Sequence, residues 1–95
     1  MKVWTNWRIK EKLIKKHKVE IEEVEEALNN DEDIYVQKGK FNSSLIYSLT
    51  EAGRYLFTVA IVDWRAKDAF IVTSRDMTNR EKVFYRRKKR IWKKR

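Results

Sequence analysis

The chain has no cysteine and no proline, only two glycines and a single histidine. Without cysteine there is neither a disulfide framework nor thiolate chemistry, and one histidine cannot build the usual zinc site. Neither a metal centre nor a cofactor is therefore expected. No apolar run is long enough to cross a bilayer, and the opening residues MKVWTNWRIK lack the apolar stretch of a secretory signal. Those absences predict a cytoplasmic protein with no membrane contact.

Charge and aromatic surface are what the chain has in quantity. A hydrophobic content of 42% with 13% aromatic residues argues against disorder, and 95 residues suit one core, so residues 1–95 are expected to form a single domain. The net charge of +9 is unevenly spread: Glu20 to Asp33 holds eight of the fourteen acidic residues, and Arg80 to Arg95 ten of the twenty-three basic ones. A basic tail interleaved with Phe84, Tyr85 and Trp92 suits a phosphate backbone with stacked bases, because cationic side chains release counterions and every base offers a π-face. The same tail also reads as a solvated helix end, and the acidic segment as a lure for a basic partner. Charge alone does not choose.

In chain order, Trp4, Trp7, Leu13 and Ile14 predict an amphipathic helix over Asn6 to Lys16, with the tryptophans as packing anchors. Ile21, Val24, Ala27 and Leu28 predict a second helix from about Glu20 to Asn29, closed by the turn residues Asn29-Asn30-Asp31. His17, in the connection, is a candidate proton carrier. Strands are expected at Ile34 to Val36 and Leu45 to Leu49. Tyr55 to Val62 should be a central strand covered on both faces, and Ala69 to Thr73 the last strand. Connections this short cannot make parallel crossovers, so the expectation is an α+β domain: two N-terminal helices, a four-stranded, mainly antiparallel sheet and a C-terminal basic helix.

The stretch Ala69 to Tyr85 concentrates the candidate chemistry. Thr78 and Glu81 have the spacing of a capping box, predicting a helix start there, while Arg75 sits where the strand should end, close to the helix mouth. Helical spacing stacks Glu81 and Tyr85 on one face. A guanidinium near the backbone donors of a helix start can hold a phosphate.

Lys16-His17 leading into V-E-I-E-E-V, the strand start Gly53-Arg54-Tyr55-Leu56, and I-V-T-S-R-D-M-T-N-R-E-K-V-F-Y from Ile71 to Tyr85 resemble the BrnT family. These are small toxins of type II toxin–antitoxin systems, related in fold to the RelE-like ribonucleases. The resemblance runs from about Trp4 to Tyr85. It implies a RelE-like fold and a cofactor-free ribonuclease that arrests translation. It also implies an inhibitor, a DNA-binding ribbon-helix-helix antitoxin of the BrnA type, with a dimer formed inside that complex. The chain departs from the family at Lys18, where a glycine is usual, at Leu13 for asparagine, at Ser43 for arginine and at Ser48 for glycine.

Under this reading the catalytic candidates are His17, Arg54, Arg75, Glu81 and Tyr85, and the RNA-contacting candidates Lys16, Arg80, Arg86, Arg87 and Arg90. Attack of a 2′-hydroxyl on the adjacent phosphate needs a base, an acid and cations for the developing charge. Arg75 and Arg54 would supply the cations, His17 or Glu81 would take the proton, and Tyr85 or Lys16 would orient the nucleotide. Each has a plainer alternative. Glu81 is explained by capping, Tyr85 by packing its ring on the sheet, Arg54 as a strand-edge residue and His17 as a loop residue. Two functions therefore stand: a metal-independent endoribonuclease, and a nucleic-acid-binding module without catalysis. An antitoxin is expected to cover Arg75 and the Arg80 to Arg90 face, or to dock on the tryptophan-bearing helix.

Overall fold

A computed structural model describes residues 1–30 and 34–93, with the side chains of residues 30 and 89–93 set aside. Alternating apolar residues build a five-stranded sheet: β1 (Lys2–Trp4), β2 (Tyr35–Lys38), β3 (Ser44–Leu49), β4 (Tyr55–Asp63) and β5 (Asp68–Asp76), in the spatial order β1-β5-β4-β3-β2. β2, β3, β4 and β5 pair antiparallel as expected, but β1 adds a fifth strand, parallel to β5. The short-connection argument fails for this pair because most of the chain lies between its members. The class is α+β.

Period-two alternation sends Leu56, Thr58 and Ala60 of β4 to one face, beside Ile46 of β3 and Ile71 of β5. A register shift opposite Val59 and Ala60 leaves Val72 unpaired, so that Ile71 and Ser74 both reach this face. The N-terminal helices cover it. α1 (Trp7–Lys12) starts where the Asn6 side chain accepts the Ile9 N–H at 2.9 Å, and it continues as one wide π turn over Leu13–His17. α2 (Ile21–Asn30) starts where the Glu23 carboxylate accepts the Glu20 N–H at 3.1 Å. Leu13, Val19, Val24, Ala27 and Leu28 pack onto the sheet, each large aliphatic contributing about 1.5–3 kcal/mol by leaving water. α2 extends through Asn30, and the expected turn's Asp31 lies outside the described residues.

The tryptophans do not anchor that helix. Trp4 lies in β1, its indole edge-on to Phe70 at 4.7 Å, and Trp7 is 70% exposed on α1. Leu13 holds the helical segment instead.

On the opposite face, α3 (Asn79–Lys93) lays Phe84 and Tyr85 against Tyr35, Tyr47, Tyr55 and Phe57. It covers only the end of the sheet where β4 begins. Ile61, further along β4 on this face, is 41% exposed, so the expected double cover of that strand holds over its first half alone. The acidic α2 and the basic α3 lie on opposite faces of the sheet.

Candidate active site

β5 runs on to Asp76, which puts Arg75 inside the strand, opposite Phe57 and on the α3 face. Its guanidinium lies over the Phe57 ring, 4.6 Å from the centroid. Glu81, in the first turn of α3, receives it in bidentate fashion, with Nη1 to Oε1 at 2.7 Å and Nη2 to Oε2 at 3.0 Å. The capping box forms as well: Thr78 N–H donates to Glu81 Oε1 at 2.8 Å, and Glu81 N–H donates to Thr78 Oγ1 at 3.2 Å. The Arg75 bond, ahead of the Thr78 amide, holds the Glu81 carboxyl below the usual carboxylate range. Capping and ion pairing therefore use the same carboxylate at once.

Beside this pair an open groove of about 270 Å³ is lined by Gln37, Tyr47, Arg80, Glu81 and Phe84. The Tyr47 hydroxyl donates to Gln37 Oε1 at 3.3 Å, and burial, with Glu81 nearby, raises the Tyr47 pKa. A guanidinium carries five N–H groups. Arg75 gives both Nη1 hydrogens to Glu81 and the Asp76 carbonyl and one Nη2 hydrogen to Glu81, so among the described residues its Nε–H and second Nη2–H are uncommitted.

Arg54 belongs to a different cluster. Asp76 pairs with Leu56 and so points to the helix-covered face, where it accepts Arg54 Nε at 2.7 Å. Nη1 reaches both Glu23 oxygens, at 3.0 and 3.1 Å, and the Lys18 carbonyl at 2.8 Å; Nη2 reaches the His17 carbonyl and Asp76. Every N–H of this guanidinium is spent on holding the π turn and α2 to the sheet. The Arg54 bond holds the Asp76 carboxyl below its ordinary value. The expectation that Arg54 faces the same site as Arg75 is corrected: they sit on opposite sides of the sheet.

His17 lies with Arg54, contributing its carbonyl, and Lys16 is exposed on the same π turn. Tyr85 is 0% exposed and edge-on to Tyr55 at 6.1 Å, so its hydroxyl is not at the rim. Of the five catalytic candidates the structure thus brings Arg75 and Glu81 together beside the groove, and Arg54 with the His17 backbone on the other face. Arg80 lines their groove, Arg86 donates to the Tyr55 hydroxyl at 3.3 Å, Arg87 is exposed, and the Arg90 side chain lies outside the described part.

Sequence reasoning missed Gln37 and Tyr47, which line the groove, and Phe57, whose ring lies under the Arg75 guanidinium. Their only sequence signal was strand alternation: Phe57 is two residues from Tyr55, and Gln37, Tyr47 and Phe57 meet through cross-strand pairing that no local pattern encodes. Among known proteins, no family model, no curated protein and no solved structure matches the chain.

Proposed function

We propose that this chain is a metal-independent endoribonuclease of the toxin type, acting in the cytoplasm on single-stranded RNA and thereby inhibiting translation. The observation that carries the reading is Arg75, a guanidinium with two N–H groups uncommitted among the described residues, bound to the ionised Glu81 carboxylate that lines an aromatic-walled groove. A phosphate arriving there meets fixed positive charge and displaces Glu81 from part of its ion pair. Losing that hydrogen bond raises the Glu81 pKa, turning a poor base into a better one. The 2′-hydroxyl then gives its proton to Glu81 and attacks the adjacent phosphorus, the P–O5′ bond breaks, and the leaving 5′-oxygen takes a proton from solvent water, giving a 2′,3′-cyclic phosphate and a 5′-hydroxyl. Arg75 stabilises the charge that develops. The resemblance to the BrnT family at Ile71 to Tyr85 supports the same reading.

The purified full chain, incubated with single-stranded RNA in EDTA, should cleave it, and Arg75→Ala should lower the rate by about 100-fold, the scale for losing one oxyanion-type donor. Intact RNA with wild type sinks the enzymatic reading. Arg54's full commitment and Tyr85's burial favour a second one, RNA binding without cleavage, for which the same RNA would be retained uncut.

The partner we propose is a ribbon-helix-helix antitoxin covering Arg75 and the exposed side of α3, with a dimer forming inside that complex. The acidic α2, on the far face, is left clear of it. An Arg86, Arg87 and Arg90 to Glu triple variant that binds its partner with unchanged affinity and salt dependence would exclude this surface.

A further inference from the structure

The groove beside Arg75 is smaller than the cavities that take drug-sized ligands and has room for a single ring system. Its apolar wall is Phe84, braced by Tyr35 at 5.6 Å and Tyr47 at 5.3 Å between ring centroids. Glu81, the carboxylate that lines the groove, has one oxygen occupied by Arg75 and the Thr78 amide and the other by Arg75. The Gln37 carbonyl accepts the Tyr47 hydroxyl, which fixes the side-chain amide and turns its nitrogen away from Tyr47. Among the described residues nothing accepts from Gln37 Nε2 or from the Arg80 guanidinium. The groove's uncommitted N–H donors are therefore those of Gln37 and Arg80, beside the lone pairs that Tyr47 Oη and Glu81 Oε2 retain.

We propose that this groove is a nucleobase pocket in which Gln37, positioned by Tyr47, selects a base bearing a carbonyl and disfavours adenine. The inference rests on the RNA reading above and adds a specificity-determining residue to it. A base stacked on Phe84 presents its edge toward Gln37 and Arg80, with its phosphate within the field of Arg75. Guanine, uracil and cytosine each offer a carbonyl oxygen to these donors. A carbonyl's two lone pairs can take both donors, whereas adenine N1 or N7 accepts from one and the amino group beside it faces the other.

The test uses the full chain and short 2′-O-methyl RNAs, which bind as RNA does but cannot undergo 2′-hydroxyl attack. Fluorescence anisotropy is measured with labelled oligo(U) and oligo(A) of equal length. Wild type should prefer oligo(U) by about fivefold, the scale of one net hydrogen bond. Gln37→Leu should keep its fold by circular dichroism and collapse the preference to about onefold. Tyr47→Phe, which frees the Gln37 amide to rotate, should give an intermediate ratio. Scoring the change in ratio between proteins cancels the self-stacking of oligo(A). A preference that survives Gln37→Leu, or a wild type that binds both oligomers equally, overturns the base pocket while leaving RNA binding in place. Failure of wild type to bind either oligomer overturns the RNA reading and this inference together.

Discussion

Two arginines in comparable settings meet different fates because of which neighbours consume their donors. Arg54 has given all its N–H groups to Asp76, Glu23 and the carbonyls of His17 and Lys18, so its removal should be felt in stability. Arg54→Ala is expected to cost about 1 kcal/mol, because the part-buried His17 carbonyl and Glu23 carboxylate lose a charged donor while the more exposed Asp76 and Lys18 carbonyl recover solvation. Urea titration checks this. A variant with unchanged midpoint would return Arg54 to the list of substrate-binding residues. Lys18 offers the opposite sign. It closes the π turn in the left-handed region at φ 56°, where a Cβ collides with the neighbouring carbonyl. Lys18→Gly should therefore stabilise the fold by about 0.5–1 kcal/mol, seen as a higher urea midpoint at constant slope. The glycine the family resemblance leads one to expect at this position has a physical reason in that angle.

Among the elements, α3 is secured at its start by a carboxylate with two duties. Glu81 closes the capping box and holds Arg75, and both bonds lower its pKa. Asp76 is lowered in the same direction by Arg54. A depressed folded pKa means the ionised form is the one that folding favours. The stabilisation is present above the ordinary values of 3.8 for Asp76 and 4.5 for Glu81, and is lost as pH falls through the lower folded values. Glu81→Gln should thus leave a shallower acid limb in a plot of unfolding free energy against pH, and should cost about 1 kcal/mol at neutral pH through the weakened cap. The same element shows how much could be read in advance. Thr78, Glu81 and the apolar pattern of β3 to β5 are local signals, and they placed α3 and these strands to within a few residues. β1 carries no such signal, since Lys2-Val3-Trp4 buries only Val3 and is defined by a parallel partner far along the chain. The tryptophans misled for a related reason: an apolar period says that a face exists, while only the tertiary fold says what covers it. The Arg75–Glu81 pair was half legible, as a cap. The separation of Arg54 from Arg75 was not, because strand parity at β5 puts Asp76 and Arg75 on opposite faces.

At the scale of the whole molecule the sheet separates the acidic α2 from the basic α3, although α1 and the π turn place the exposed Arg8, Lys10, Lys12, Lys15 and Lys16 on the α2 side as well. The cations of α3 are themselves split by helical spacing. Arg80 lines the groove, and Lys88, two turns on, lies 5.5 Å from the Phe84 centroid. Lys82 and Arg86 instead flank Tyr55, at 5.5 and 5.1 Å from its centroid, toward the other side of the helix. If RNA follows the groove, only the first pair neutralises phosphates. Each phosphate contact on a single strand steepens the dependence of log affinity on log salt by about 0.7. Arg80→Ala with Lys88→Ala should therefore flatten the slope by about 1.4, whereas Lys82→Ala with Arg86→Ala should leave it near the wild-type value. Both variants carry the same net charge, so a bulk electrostatic attraction would change both slopes equally. Equal slopes would mean that RNA meets α3 as an undirected basic surface; a difference confined to the groove pair would place the strand along Phe84 and past Arg75.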